Sequence, residues 1–132
     1  MATWEDLAAY VRSEYRVVRE TRDELRIEVG FEEDERTQIV ILAHEVLDGR
    51  EDWVQILSLC GRADQVNLAQ LLTELGDTTV VTGAVIMGEH VALRHSLPLA
   101  NLDINEFVDP VELLAGTADE LEEKFGRGVD EY

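Results

Sequence analysis

The sequence predicts an α+β protein with one antiparallel sheet and the element order α-βββ-α-ββ-α. Apolar residues recur every three or four positions in three segments, as on helix faces, and alternate with polar residues between them, as in strands. The pairs Asp48-Gly49 and Gly88-Glu89 mark tight turns. With 132 residues, 45% of them hydrophobic, the chain is expected to form one domain over residues 1–125, followed by a frayed acidic tail over 126–132.

The first helix is predicted to begin after Thr3, whose hydroxyl is suited to cap it, and to end at Tyr15. Apolar residues of this segment share one helical face: Trp4, Leu7, Ala8, Val11 and Tyr15. Over residues 25–31 the period changes to two, which predicts a strand with one buried face. Val17 and Val18 are consistent with an earlier strand segment.

A charged loop over residues 32–36 is predicted to lead into a second strand, Thr37–Leu47, which is rich in β-branched residues. After the turn at Asp48-Gly49, a third strand is predicted over residues 52–60. These three strands form an antiparallel meander.

Four leucines at positions i, i+3, i+4 and i+7 predict a middle helix: Leu68, Leu71, Leu72 and Leu75. Gly76 follows where a left-handed residue would end that helix. Two further strands are predicted over residues 79–87 and 90–97, and Pro98 closes the second because proline cannot donate to a ladder.

The last helix is predicted to begin at Asp103, because Glu106 follows three residues later as in a capping box. Asp109-Pro110 repeats the start signal, so the helix is expected to restart or kink there. Its apolar stripe is formed by Ile104, Phe107, Val108, Val111, Leu114, Ala115, Ala118, Leu121 and Phe125.

The charge balance disfavours several classes of partner. The chain has 29 Asp and Glu against 11 Lys and Arg, a formal net charge of -18, so it repels nucleic acids and anionic membranes. No apolar run approaches the roughly 20 residues of a spanning helix. No export signal precedes the first helix, and Cys60 is the only cysteine, so we expect a cytoplasmic protein without an intrachain disulfide.

No motif in the sequence indicates catalysis or a cofactor. Glycine-rich phosphate loops and the nucleophile elbow are missing, and Lys124 is the only lysine. His44, His90 and His95 lack the close spacing of metal ligands. We therefore predict no catalytic residue, no metal site and no cofactor.

Two strands carry more apolar residues than one buried face requires. On the second strand Val40, Leu42 and Val46 occupy one face, and Ile39, Ile41 and Ala43 the other. On the third strand Leu57 and Leu59 lie opposite Val54 and Ile56. Either helices and loops cover both faces, or a partner covers one. For the second case the candidate peptide-binding residues are Val40, Leu42, Leu57 and Leu59.

A family resemblance extends over nearly the whole chain. A helix, a meander, a leucine helix and a hairpin precede the string Ser96-Leu-Pro-Leu-Ala-Asn-Leu-Asp103. This string leads into a helix ending Thr117-Ala-Asp-Glu-Leu121. In this string and element order the chain resembles the type III secretion chaperone-like fold, and more closely the YbjN-type proteins described as chaperone-like or sensory-regulator domains.

The resemblance implies a homodimer that binds an extended client segment by strand addition and in shallow apolar grooves. In secretion chaperones the middle helix often packs against its copy, which implies an interface here at Leu68, Leu71, Leu72 and Leu75. The leading hypothesis is accordingly a non-enzymatic, chaperone-like module that binds a peptide or protein. The alternative is a regulatory or sensor domain that binds a small apolar ligand between the sheet and the last helix.

Overall fold

A computed structural model describes residues 3–32, 35–79, 81–126 and 132. The helices and strands are α1 Trp4–Glu14, β1 Arg16–Glu20, β2 Glu24–Gly30, β3 Thr37–Leu47, β4 Glu51–Arg62, α2 Leu68–Thr78, β5 Gly83–Met87, β6 His90–Pro98 and α3 Ile104–Phe125. The α+β class and the predicted element order are confirmed. The segment that includes Val17 and Val18 forms a strand of its own, β1, ahead of the meander.

The strands form one six-stranded antiparallel sheet in the order β1-β2-β3-β4-β6-β5. Both predicted hairpin turns use left-handed residues: Asp48 and Gly49 have φ of 52° and 66°, and Gly88 has φ of 62°. Positive φ at two successive residues matches the right-handed twist of the strands that the turn joins, so the Asp48-Gly49 turn sets the β3–β4 register.

Side-chain caps determine where the helices begin. The Thr3 hydroxyl accepts a hydrogen bond from the N–H of Asp6, and the Asn67 side chain accepts one from Gln70, both at 3.1 Å. At α3 the Glu106 carboxylate accepts the backbone N–H of Asp103 at 2.9 Å, as the capping box predicted. Each cap satisfies a backbone donor that the first helical turn leaves without an internal acceptor.

One predicted helix boundary is wrong. Gly76 lies inside α2, which continues to Thr78, where the Thr79 N–H bonds the Leu75 carbonyl and ends the helix without a left-handed residue. Pro110 lies inside α3, so the helix does not restart there, and the kink expected as the other outcome stays a prediction. Both signals are local preferences of about 1 to 3 kcal/mol, and the apolar faces of the two helices are buried in one core, which outweighs them.

Candidate functional site

The helices cover only one face of the sheet. Leu25 pairs with Leu42, and Leu42 with Ile56, and all three are buried in the core with Leu7 of α1 and Leu114 of α3. The buried residues of α2 belong to the same core. Because successive strand residues point to opposite faces, the residues between these positions lie on the other side of the sheet. Among the described residues, no helix packs on that side.

We call this other side the bare face. It carries an apolar band across four strands, in which Gln55 separates Trp53 from Leu57 along β4; the band is formed by Ile39, Ile41, Ala43, Trp53, Leu57, Leu59, Val85 and Ala92. Leu57 and Ala92 are buried by their neighbours in the sheet, and the other six are half-buried. A solvated face of an antiparallel sheet is normally polar, so the band is the feature of this face that needs an explanation.

Charged side chains flank the band, and they nearly balance. The bare face carries Arg16, Arg19, Arg26, Arg62 and Arg94 together with Glu24, Glu28, Glu45 and Glu51. Arg16 pairs with Glu28 at 2.9 Å, and Arg26 with Glu24 at 3.0 Å. By contrast, α3 alone has seven Asp and Glu and one Lys. The negative charge of the molecule is therefore concentrated away from the bare face.

The structure separates the four predicted peptide-binding residues into two pairs. Val40 and Leu42 are fully buried under the helices, so they are core residues of this chain. Leu57 and Leu59 lie on the bare face. The sequence pattern identified both apolar sets on β3, but a period of two does not say which set the helices cover. The apolar β3 side chains on the bare face are Ile39, Ile41 and Ala43.

The predicted dimer-interface residues on α2 are also divided. Leu71 is 0% exposed and Leu75 is 6% exposed, and both belong to the core, against which the half-buried Leu68 packs. Leu72 is 55% exposed on the outer side of the helix. Since α2 uses one stripe to bind its own sheet, only Leu72 of the four presents most of its side chain to a partner.

The two edges of the sheet differ in their protection. β1 at one edge carries Arg16, Arg19 and Glu20 and has a register irregularity between Val17 and Arg19. Charges and bulges are the usual devices that keep an edge from pairing with another chain. β5 at the other edge, Gly83–Met87, has no charged residue, no proline and an uninterrupted register with β6. The β5 edge is therefore unguarded.

The most polar cluster on the helix side is centred on His44. Its Nε2 lies 2.8 Å from Asp52 Oδ1 and its Nδ1 lies 3.4 Å from Asp23 Oδ1. The ring stacks on the Trp4 indole with centroids 5.2 Å apart, and the indole N–H donates to the Arg22 carbonyl. These contacts fix the start of α1 against the β1–β2 connection and the first residues of β4, so a structural role accounts for the cluster.

A second polar cluster lies where β3 and β4 separate. Their ladder ends at the Ile41–Leu57 pair. Beyond it the buried Gln38 amide donates to the Ser58 hydroxyl at 2.8 Å and to the Leu59 carbonyl at 2.7 Å. Ser58 in turn donates to the Ile39 carbonyl at 2.8 Å. Side chains thus replace the backbone bonds that the separated strands no longer make.

Buried charges from α3 adjoin this separation. The Arg36 guanidinium lies 3.0 Å from Asp119 and 3.5 Å from Glu122, and all three side chains are largely buried. The N–H of Tyr132 donates to Glu122 at 2.8 Å, and the Tyr132 carbonyl accepts from Ile39 at 2.9 Å. Of the tail expected over 126–132, Gly126 caps α3 and Tyr132 makes these contacts, and residues 127–131 lie outside the described residues.

Cys60 lies beside a cavity of about 80 Å³ whose lining includes Gly61, Val66 and Phe125. Burial raises the pKa of its thiol to about 12, so it remains protonated and weakly nucleophilic at neutral pH. Within the described parts of the chain, no group of three or more His, Cys, Asp or Glu side chains is arranged to hold a metal ion.

Comparison of the chain with protein-family models gives no match, and comparison with curated proteins gives none. The class of the protein is therefore defined by its architecture, which in the part of the chain that the structure describes is α+β, with a six-stranded antiparallel sheet that carries three helices on one face. Over the described ranges, no helix is long and apolar enough to cross a membrane.

Proposed function

We propose that this chain is a non-enzymatic, chaperone-like module that works as a homodimer and holds an extended segment of a client protein on its bare face. The observation that carries the proposal is the apolar band between Ile39 and Val85 on a sheet face that no described helix covers. Such a band favours association with another polypeptide, because association removes its remaining apolar surface from water.

The shape and charge of the bare face suit an extended partner. Side chains that stand up from adjacent strands in rows leave shallow grooves between them, and the central pair Ile41 and Leu57 is bordered by Arg94 on β6. Five arginines and four glutamates give a charged client residue of either sign a salt-bridge partner at the rim. The near balance also lets an uncharged segment bind with little electrostatic cost.

The alternative, a small apolar ligand held between sheet and last helix, has less support. Phe107, Leu114 and Leu121 are buried in one continuous core with Ile27 and Leu42, so side chains fill that layer. The surface groove beside α3 is lined by Val29, Phe31, two glycines and five carboxylates, those of Glu32, Glu112, Asp119, Glu120 and Glu123. Because the carboxylates outnumber the apolar side chains, the groove suits an apolar ligand less well than a mostly apolar pocket would.

Trp53 provides the assay, because it lies on the bare face whereas Trp4 is buried in the core. The probe is a synthetic peptide of alternating valine and threonine with a lysine at each end. Titration is expected to shift the Trp53 emission and to saturate. A serine and threonine peptide with the same lysines controls for attraction to the acidic chain, and it should leave the emission unchanged.

A pair of variants locates the site. Ile41→Lys places a charge in the middle of the band and is expected to weaken binding at least tenfold. Leu113→Lys adds the same charge to an exposed site on α3 and should bind the peptide as the unmodified chain does. Circular dichroism confirms that both variants are folded. Equal binding by the two variants, or no emission shift with the valine peptide, refutes the proposal.

A further inference from the structure

We infer that β5 is the surface through which two copies of this chain pair, edge to edge and antiparallel, about a two-fold axis at Val85. The inference rests on the homodimer in the proposed function and names its interface. It begins from the contrast between the edges: β1 is charged and irregular, whereas β5 offers five uncharged residues in regular register. An unguarded edge is a template for another strand.

The residues of β5 are complementary to a second copy of themselves. With the axis at Val85, each valine lies opposite its copy, Ala84 lies opposite Ile86, and Gly83 lies opposite Met87. Each large side chain therefore meets a small one across the new ladder, which suits the close spacing of cross-strand neighbours. Ile86 is 57% exposed and Met87 is 44% exposed in the single chain, and pairing covers both.

Electrostatics favours a second copy at this edge over other surfaces. Two chains of formal charge -18 repel one another, so they associate most readily where neither presents charge. The nearest carboxylate along the strand, Glu89, lies in the turn beyond Met87 and faces Arg62 at 3.4 Å in its own chain. In the antiparallel pairing it lies opposite Val81 of the other copy, so no like charges lie opposite one another along the paired strands.

Pairing at β5 also extends the proposed client site. The two sheets become one sheet of twelve strands, and Val85 and Ala92 bring each apolar band to the joint. In an antiparallel ladder, directly opposed side chains lie on the same side of the sheet. Both bare faces therefore lie on the same side of the joined sheet. A long client segment contacts both copies, which raises its apparent affinity without new kinds of contact.

The test compares exposed sites by light scattering and by cross-linking. At micromolar concentration the unmodified chain is expected at twice the 14.9 kDa of one chain, and Ile86→Lys at 14.9 kDa. Leu72→Lys on α2 and Val18→Lys on β1 change equally accessible residues and should remain dimeric. Val85→Cys should form an intermolecular disulfide under mild oxidation, because directly opposed residues in an antiparallel ladder lie within disulfide range.

Two results overturn the inference: a single-chain mass for the unmodified protein, or dissociation by Leu72→Lys while Ile86→Lys remains dimeric. The peptide titration on Trp53 distinguishes failure of the β5 interface from failure of the proposed function. If Ile86→Lys is monomeric and still binds the valine peptide, both ideas stand. If the unmodified chain is dimeric through β5 and binds no peptide, the interface stands and the client-binding function fails.

Discussion

Adjacent leucines on α2 give the sharpest test of how this helix is used. Leu71→Ala removes side-chain atoms from a site that is 0% exposed, whereas Leu72→Ala trims one that is 55% exposed. A fully buried Leu→Ala change costs about 2 to 5 kcal/mol, from lost burial and the cavity left behind. An exposed one costs about 0.5 kcal/mol or less. The expected difference is therefore about 1.5 kcal/mol or more.

The measurement is urea unfolding followed by circular dichroism at one fixed protein concentration, since association would add to apparent stability. A loss of 1 kcal/mol lowers Tm by about 4 °C for a chain of this size. The Tm of Leu71→Ala should therefore be lower than that of the unmodified chain by roughly 10 °C, whereas the Tm of Leu72→Ala should be nearly unchanged. Equal losses for both variants, with a concentration-dependent Tm only in the unmodified chain, would show that α2 packs against another copy and would refute this reasoning.

Three further predictions concern caps and titratable groups. Asn67→Ala should lose about 1 kcal/mol by removing the α2 cap, and Asn67→Asp should keep it, as thermal unfolding will show. Burial raises the pKa of Cys60 from 9.0 to about 12, so the native thiol should resist a disulfide reagent at pH 8 until urea is added. The same shift should make the free energy of unfolding fall as pH rises above 9, because the thiol then loses its proton in the unfolded chain but keeps it in the folded one. The hydrogen bond from Arg12 lowers the pKa of Glu20, so this pair stabilises the fold above the ordinary pKa of glutamate, and the stabilisation is lost as pH falls through the lowered pKa. Arg12→Gln should therefore flatten the dependence of unfolding on pH in that acid range. Unchanged acid unfolding curves would show that the pair contributes nothing.

The parts of the fold that could be predicted are those that local chemistry determines. Thr3 caps α1, and Asp48 and Gly49 form the left-handed turn between the two longest strands. The predicted bounds of the strand Thr37–Leu47 are confirmed, because in the sequence a charged loop precedes its β-branched residues and the Asp48-Gly49 turn follows them. In each case the preference arises from a few neighbouring residues, so it is visible in the sequence.

Tertiary packing outweighs such a preference elsewhere. Gly76 and Pro110 are both signals that can end a helix, yet each lies inside a helix whose apolar stripe is buried. β1 was uncertain because Val17 and Val18 are flanked by charged residues, and its strand conformation depends on pairing with β2 across a bulge. Pairing of this kind is a property of two segments, and neither segment encodes it alone.

At the candidate site, the residue pattern shows that β3 and β4 are apolar on both faces, and therefore that one covering layer is not enough. Which face remains bare depends on how the helices pack on the sheet. An alternating pattern does not show which of Val40 and Ile41 is covered by the helices. Val40 is fully buried because α1, α2 and α3 all pack on its side of the sheet, whereas Ile41 lies on the other side. That choice depends on the direction in which each connection crosses the sheet, which is a property of the whole chain.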